Sequence, residues 1–244
     1  MRTFVGSLAL LLSTILVGTF PPTAVAQPGP VVILAPHPDD ETLGCGGLIA
    51  RRAAEGRRIV VVVITDGRAL LRRFGIASNP SETQVSAMRK NETRRALDIL
   101  TDGRVELVFL DFENERLTKQ HAEATRRITA LLKDLAPAEL YVTSPFEGHR
   151  EHLATNEIAR AACAATGSCG AIYEYIVTLK AGTSVDDLPR TRIGVDVSAY
   201  RDRERRALAQ FRSHLDIISP RLTAPLTPNY DRYLTDEEPF LVER

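Results

Sequence analysis

Two short runs of uninterrupted apolar residues constrain the fold of this 244-residue chain more than any other feature. Residues 31–35 and 59–64 contain no polar side chain. A strand with one face in water would instead alternate apolar and polar residues. Strands of the uninterrupted kind are buried on both faces, and helices must cover a mostly parallel sheet from above and below. The two runs therefore predict an α/β protein.

The rest of the chain alternates helical and strand patterns around these runs. A capping box opens one helix, because Ser81 and Gln84 stand three residues apart. Residues 68–80 have no clear period and are predicted to form a long loop. The order predicts a Rossmann-like, doubly wound, mostly parallel sheet with helices on both faces. The predicted strands cover residues 31–35, 59–64, 105–110, 138–143, 172–179 and 192–197, and the predicted helices cover residues 43–55, 81–101, 118–135, 153–165 and 200–211.

The first 26 residues have the pattern of a secretory signal peptide. Arg2 precedes an apolar run over residues 5–17, and Ala24-Val25-Ala26 forms an A-x-A cleavage pattern. We predict cleavage after Ala26, export to the periplasm or the medium, and a single domain over residues 27–244. The apolar run is too short to span a bilayer and no second run of that length follows, so no membrane span is expected after signal removal.

The charge balance argues against a nucleic-acid partner, and the cysteine spacing argues against a zinc site made of cysteines. Lysine plus arginine and aspartate plus glutamate number 31 each, so the chain lacks the basic field of a nucleic-acid-binding protein. Cys163 and Cys169 flank a short segment, and an oxidising compartment would allow a disulfide bond between them. Cys45 is then expected to be a buried apolar residue. No C-x-x-C spacing occurs, so a zinc site made of cysteines is not expected.

Chemically capable residues follow the predicted strands, at the edge of the sheet where ligands bind in such folds. His37, Asp39 and Asp40 follow the first strand, and His149 and His152 follow the fourth. Imidazole and carboxylate groups are good zinc ligands, so three of these residues could hold zinc and leave a fourth position for water. Each residue alone has an ordinary explanation, since an aspartate here could simply cap the next helix. Their convergence favours a metal site.

The residues around these histidines resemble the PIG-L/LmbE family of metal-dependent N-deacetylases. The resemblance covers roughly residues 31–165. It is carried by two histidine motifs and by two shorter features between them: Ala35-Pro36-His37-Pro38-Asp39-Asp40-Glu41-Thr42-Leu43-Gly44-Cys45-Gly46-Gly47, Gly148-His149-Arg150-Glu151-His152, Thr65-Asp66-Gly67, and Arg89-x-x-Glu92 with Arg95-Ala96.

The resemblance implies an exported zinc-dependent hydrolase that removes an N-acetyl group from an amino-sugar-containing substrate. His37, Asp40 and His152 match the zinc ligands of the family, although another divalent metal would accept the same ligands. The expected partner is a small molecule or glycan that bears an N-acetyl group. The sequence determines neither the sugar nor the oligomeric state.

The resemblance also implies roles for residues that do not bind the metal. Asp39 matches the general base of the family. His149 matches a histidine that stabilises the oxyanion or helps to protonate the amine, and Arg89 matches a basic residue of the substrate pocket. Where the family often has aspartate, this chain has Glu151, which keeps the charge but lengthens the arm. The orientation of the neighbouring histidines depends on that difference.

Two alternatives remain open at this point. The same zinc machinery could act on an N-acyl substrate that is not a sugar, or the chain could bind a metal or glycan without turnover. Asp39 and His149 argue against a pure binder, because binding alone needs neither a base nor an oxyanion partner. His214 follows the last predicted helix, so it could reach the rim of the pocket or lie on the surface.

Overall fold

The structure is a computed structural model that describes residues 29–243. The predicted signal peptide and its cleavage site lie outside these residues. Within them, seven strands form one sheet in the order β3-β2-β1-β4-β5-β7-β6. The strands are β1 (Val31–Ala35), β2 (Ile59–Thr65), β3 (Glu106–Phe112), β4 (Glu139–Thr143), β5 (Ala171–Tyr175), β6 (Thr191–Asp196) and β7 (Glu237–Val242).

Helices cover both faces of the sheet, as the apolar runs predict. Alternate side chains of the same strand enter opposite cores: Val31 and Ile33 of β1 pack on one face, and Val32 and Leu34 pack on the other. The described helices are α1 (Asp40–Ala54), α2 (Glu82–Thr101), α3 (His121–Leu135), α4 (Arg150–Thr166), α5 (Arg201–Leu208) and the short α6 (Arg212–Leu215). Residues of α1, α2 and α5 line the first core, and residues of α3 and α4 line the second.

Strands β1 to β5 run parallel in the order 3-2-1-4-5, and β7 pairs antiparallel with both β5 and β6. The prediction of a Rossmann-like, mostly parallel sheet is therefore confirmed. The direction of winding reverses between the adjacent strands β1 and β4. In open sheets of this kind, ligands bind beyond the carboxyl ends of the strands at such a reversal.

The structure differs from the prediction mainly after residue 170. The strand predicted over residues 172–179 ends at Tyr175, and β7 was not predicted. The sequence of β7 begins with two glutamates and contains Pro239, and proline lacks the N–H of an ordinary strand residue. The predicted loop over residues 68–80 contains a 3-10 helix, Arg68–Phe74.

Helix α1 is broken at Cys45, whose φ of −144° and ψ of 17° are not helical. The carboxylate of Glu238 on β7 accepts hydrogen bonds from the backbone N–H groups of Gly47 (2.7 Å) and Leu48 (2.9 Å). Glu238 of β7 therefore caps the second part of α1. Gly47 fits there because a Cβ would lie 2.6 Å from the Cβ of Val197.

The states of the three cysteines agree with the sequence analysis. A disulfide bond joins Cys163 and Cys169, as predicted, and Cys45 is a buried free thiol. Across residues 29–243, no helix has the length and hydropathy that a membrane crossing requires.

Candidate metal centre

The histidines and aspartates singled out by sequence meet beyond the carboxyl ends of β1 and β4. The turn after β1 supplies His37, Asp39 and Asp40, and the first turn of α4 supplies His152, with His149 as its N-cap. All but His149 are buried. The winding reversal of the sheet therefore brings together residues more than a hundred positions apart in the chain.

Three side-chain atoms of this group converge on one point. His37 Nδ1 lies 2.9 Å from Asp40 Oδ2, His152 Nε2 lies 3.2 Å from the same oxygen, and the two nitrogens are 3.3 Å apart. A tetrahedral zinc site with ordinary bond lengths has ligand–ligand edges of about 3.3 Å. The three atoms thus have the separation of three ligands around one small cation.

Two carboxylates hold the opposite nitrogens of these imidazole rings. His37 Nε2 lies 2.8 Å from Glu151 Oε2, and His152 Nδ1 lies 3.2 Å from Glu147 Oε2. Because a carboxylate accepts a proton-bearing nitrogen, these contacts assign the lone pairs of the neutral rings to the point shared with Asp40. Histidines that bind metals almost always donate their other N–H in this way. The donor set therefore fits a divalent metal.

The two supporting carboxylates are themselves held by the chain. Glu147 accepts the backbone N–H groups of Val177 (2.5 Å) and Thr178 (2.8 Å). Burial alone would lower the pKa of His152, but Asp40 and Glu147 raise it to about 10. The cluster therefore favours a positive charge at its centre.

Glu151 supports His37 in the same way, and two hydrogen bonds hold Glu151 in turn. Asn114 donates its Nδ2–H to Glu151 Oε2 (2.6 Å), and the N–H of Leu117 donates to Oε1 (3.1 Å). Burial alone would raise the pKa of Glu151, but the hydrogen bond with His37 lowers it to about 2. The longer arm of glutamate therefore reaches His37 and orients it. Glu147 was not recognised from the sequence, although it stands directly before the second histidine motif.

Asp39 does not cap α1 with its side chain. It occupies the N-cap position with no capping hydrogen bond, and its Oδ1 instead accepts a hydrogen bond from Arg89 Nη2 (2.9 Å). Its φ of 133° is one that residues other than glycine rarely adopt. Burial raises its pKa to about 6, although Arg89 opposes the rise. The simple capping explanation of Asp39 is therefore wrong, and the carboxylate has the proton affinity of a base that works near neutral pH.

His149 lies beside the three converging atoms. Its Nδ1 accepts the N–H of Glu151 (3.3 Å), so a neutral ring carries its proton on Nε2. Burial, together with His37 and His152, lowers its pKa to about 4. Metal-ligating atoms of His37, His149 and His152 lie within 4.8 Å of one another, so these three histidines also form a group that could hold a metal. The set of His37, Asp40 and His152 has the shorter separations, which match a tetrahedral site better.

Arg89 faces the same cavity, but its hydrogen bonds go to the chain. It donates to Pro38 O (2.7 Å) and Gly67 O (3.2 Å) as well as to Asp39. Gly67 has a φ of 66°, and a Cβ there would lie 2.6 Å from Arg89 Nη1, which explains glycine after Thr65-Asp66. The structure thus places Arg89 as a support of Asp39, and its predicted contact with substrate stays a prediction.

A cavity of about 610 Å³ opens above these residues. His214 lines it, so this residue lies in the cavity wall rather than on the surface. Most of the other walls come from segments whose sequence has no regular period: Ala69, Leu70 and Arg73 from the 3-10 helix, Val177 to Ala181 after β5, and Leu226, Thr227, Tyr230, Arg232 and Tyr233 near the carboxyl end.

The fold and the site together define a class: Rossmann-like α/β proteins with a histidine–carboxylate cluster that could hold a metal at the reversal point of the sheet. Comparison of the sequence makes the assignment specific. Residues 32–163 match the profile of the PIG-L family, described as GlcNAc-PI de-N-acetylase, and the chain belongs to this family. The predicted family membership is confirmed.

Known proteins similar to the chain include several deacetylases. The chain is 29% identical over 138 residues to the uncharacterized deacetylase YaiS of Escherichia coli, a match covering 54% of this chain and 67% of YaiS. It is 27% identical over 169 residues to the 1D-myo-inositol 2-acetamido-2-deoxy-alpha-D-glucopyranoside deacetylase of Rhodococcus jostii, covering 59% and 58%. The matches thus span between about half and two thirds of these relatives.

Solved structures show the same fold at lower identity. The N,N'-diacetylchitobiose deacetylase of Pyrococcus horikoshii, crystallised with an inhibitor, superimposes with a TM-score of 0.62. Its sequence is 20% identical, and the match covers 75% of this chain and 70% of that chain. At this identity the likeness shows the fold alone.

Proposed function

We propose that the protein is an exported zinc-dependent deacetylase that hydrolyses an N-acetyl group on an amino-sugar-containing substrate. One observation carries the proposal. His37 Nδ1, Asp40 Oδ2 and His152 Nε2 lie 2.9–3.3 Å apart, with a carboxylate on the far nitrogen of each ring. This is the donor set and spacing of a three-residue catalytic zinc site with an open position.

In this proposal His37, Asp40 and His152 hold the zinc ion. When bound there, zinc would polarise the acetyl carbonyl and lower the pKa of a water molecule. Asp39 takes a proton from the attacking water and delivers it to the leaving nitrogen. Its buried carboxylate, with a pKa of about 6, suits both steps near neutral pH.

His149 acts in this proposal as a neutral hydrogen-bond donor. Its lowered pKa leaves it uncharged at neutral pH, and the contact with Glu151 leaves its Nε2–H available. An N–H beside the reacting carbonyl stabilises the negative charge that develops on the acetyl oxygen. Of the two roles that the resemblance implies, a neutral His149 supports stabilisation of the oxyanion rather than protonation of the amine.

The similar proteins support an N-acetylated sugar as the substrate. Two of them are named as deacetylases of an acetamido-glucopyranoside and of diacetylchitobiose. The cavity of about 610 Å³ is of the size that encloses small-molecule ligands. The leading alternative is the same chemistry on an N-acyl amine that is not a sugar.

The decisive experiment combines metal analysis with acetate release. The purified protein should contain about one zinc per chain, and it should release acetate from N-acetylglucosamine or N,N'-diacetylchitobiose faster than from a simple N-acetylalkylamine. Faster turnover of the alkylamine would favour the alternative. A metal-free preparation with full activity would contradict the metal mechanism.

Export is tested separately from catalysis. The secreted or periplasmic protein should begin at Gln27 when its amino terminus is sequenced. A protein retained in the cytosol with Met1 at its amino terminus would contradict the proposed export.

A further inference from the structure

Two residues of α2, Arg89 and Glu92, make hydrogen bonds on either side of Asp39. Arg89 contacts Asp39 itself, and Glu92 contacts the residue before His214. Arg89 donates directly to Oδ1 of Asp39 (2.9 Å). Glu92 points instead to α6, where its two oxygens accept the backbone N–H (2.7 Å) and the hydroxyl (2.6 Å) of Ser213. Glu92 and Ser213 are both fully buried, so α2 anchors the turn that carries His214.

His214 is fixed with its ring towards Asp39. Its carbonyl accepts the N–H of Thr227 (3.1 Å), and its Nδ1 lies 3.3 Å from Ser213 Oγ. Its Nε2 lies 3.6 Å from Oδ2 of Asp39, the oxygen that Arg89 does not bind. The side chain is 15% exposed and belongs to the wall of the cavity.

The hydrogen-bond partners assign the direction of this arrangement. Ser213 donates its hydroxyl proton to Glu92, so its oxygen is free to accept the Nδ1–H of His214. A neutral His214 then presents the Nε2 lone pair to Asp39. The separation of 3.6 Å is longer than a hydrogen bond, so the imidazole borders the carboxylate without binding it.

We propose that Glu92, Ser213 and His214 form a positioning chain that packs against the free Oδ2 side of the Asp39 carboxylate, opposite Arg89, and blocks its rotation. His214 is a positioning residue within it and acts through Asp39. The inference rests on the proposed function, because it concerns the aim of the proposed base. In this proposal both residues of the Arg89-x-x-Glu92 pair orient the Asp39 carboxylate. Arg89 binds one side directly, and Glu92 acts on the other side through Ser213 and His214.

The backbone of Asp39 is strained, and few contacts hold its side chain. Its φ of 133° is held against the preference of an ordinary residue, and strained positions persist only where their surroundings determine them. Among the described residues, one side-chain hydrogen bond holds the carboxylate, through Oδ1. Without His214, space opens beside Oδ2 and the carboxylate can rotate about Arg89.

The kinetic test uses zinc-loaded protein and N,N'-diacetylchitobiose. His214→Ala should lower kcat by about 10- to 100-fold, because small misplacements of a catalytic group have effects of this size. KM should change by less than about threefold and zinc content should stay at the wild-type value, since the substitution leaves the ligands in place. His214→Gln, which keeps a polar group at the reach of Nε2, should recover part of the loss.

Further variants separate positioning from general damage. Ser213→Ala should lower kcat in the same direction, and its effect should not add to that of His214→Ala, because both break one chain. His121→Ala is the matched control: this histidine is exposed on α3 and should leave kcat unchanged. A normal kcat in His214→Ala, or a raised KM with normal kcat, would overturn the inference while leaving the proposed function intact.

A structural readout decides the matter without activity. Crystal structures of wild type and His214→Ala should show one orientation of the Asp39 carboxylate in the first and a rotated or divided orientation in the second. An identical carboxylate in both crystals overturns the positioning chain. Should wild type release no acetate from any N-acetyl sugar, the proposed function fails, and these two crystals still test the inference.

Discussion

At the scale of single residues, the centre depends on groups that never touch the metal position. His37 and His152 present the correct nitrogen only because Glu151 and Glu147 hold the opposite one. Asp39 departs from ordinary capping because Arg89 binds its side chain. Sequence spacing predicted the inner residues, since they follow the strands directly. It could not reveal Glu147, because a buried glutamate and a surface glutamate look alike in sequence.

Two substitutions should distinguish a residue that binds zinc from the residue that acts as the base. Asp39→Asn keeps the size of the side chain and tolerates the unusual backbone. We expect it to retain zinc and to lose about 10²–10⁴ in kcat, because the amide cannot accept a proton. His152→Ala should lose both zinc and activity. Zinc analysis and acetate release on the two variants check this, and near-normal turnover in Asp39→Asn would remove Asp39 as the base.

Substitution of the supporting carboxylate should weaken the metal without removing a ligand. In Glu147→Gln the amide holds His152 less firmly, and such changes typically weaken metal binding by about 10- to 100-fold. Competition with a chromogenic chelator measures the affinity. Glu157→Gln, an exposed position on the same helix as His152, is the control and should bind zinc as wild type does. Equal affinity in both variants would show that Glu147 does not orient the ligand.

At the scale of elements, the first helix is completed by the last strand. Helix α1 is interrupted at Cys45, and Glu238 accepts the N–H groups of Gly47 and Leu48 just after the break. Sequence predicted α2 well, because Ser81 and Gln84 form the expected capping box. It did not predict β7, because glutamates and a proline argue against a strand until an antiparallel partner is known.

Removal of the buried Glu238 carboxylate should lower the free energy of unfolding more than removal of an exposed one. Glu238→Ala leaves two buried N–H groups unpaired, and we expect the free energy of unfolding to fall by about 2 kcal/mol. Glu237→Ala, one residue earlier on β7 and exposed, should change it by less than about 1 kcal/mol. Urea unfolding of both variants measures the difference. Equal losses would mean that Glu238 contributes no more than its exposed neighbour.

At the scale of the whole molecule, buried acids without ion-pair partners tie stability to pH. Burial raises the pKa of Glu204 to about 8, and neither of its oxygens has a hydrogen-bond partner among residues 29–243. Between an unfolded pKa of about 4.5 and the folded value, the native state binds more protons than the unfolded state. The contribution of Glu204 to stability is therefore greatest below pH 4.5 and is lost as the pH rises to about 8.

Substitution with a neutral isostere should remove this dependence. Glu204→Gln cannot ionise, so its stability relative to wild type should increase from pH 5 to pH 9. Urea midpoints at pH 5, 7 and 9 measure the trend. Glu115→Gln, an exposed glutamate, should follow wild type at each pH. A constant difference between Glu204→Gln and wild type would show that Glu204 does not ionise in this range.

The whole molecule also shows where prediction from sequence ends. The parallel half of the sheet and the metal residues follow from local pattern, because each histidine motif is attached to one buried strand. The cavity walls do not, since Tyr230 and Tyr233 reach the site from coil that lies far from either motif. His214 belongs with them: only the fold shows that α2 and Ser213 direct its ring to Asp39.

The contact between Glu238 and α1 also limits when the fold can be completed during synthesis of the chain. Glu238 follows Gly47 by 191 residues, so a growing chain carries both histidine motifs long before the carboxylate that binds α1, the helix after the first of them. A partly made chain in the cytosol offers a metal ion only scattered ligands, which bind it weakly. If the proposed export threads the chain unfolded through a membrane, the site would be assembled after translocation. Its metal ion would then come from the compartment that the chain reaches.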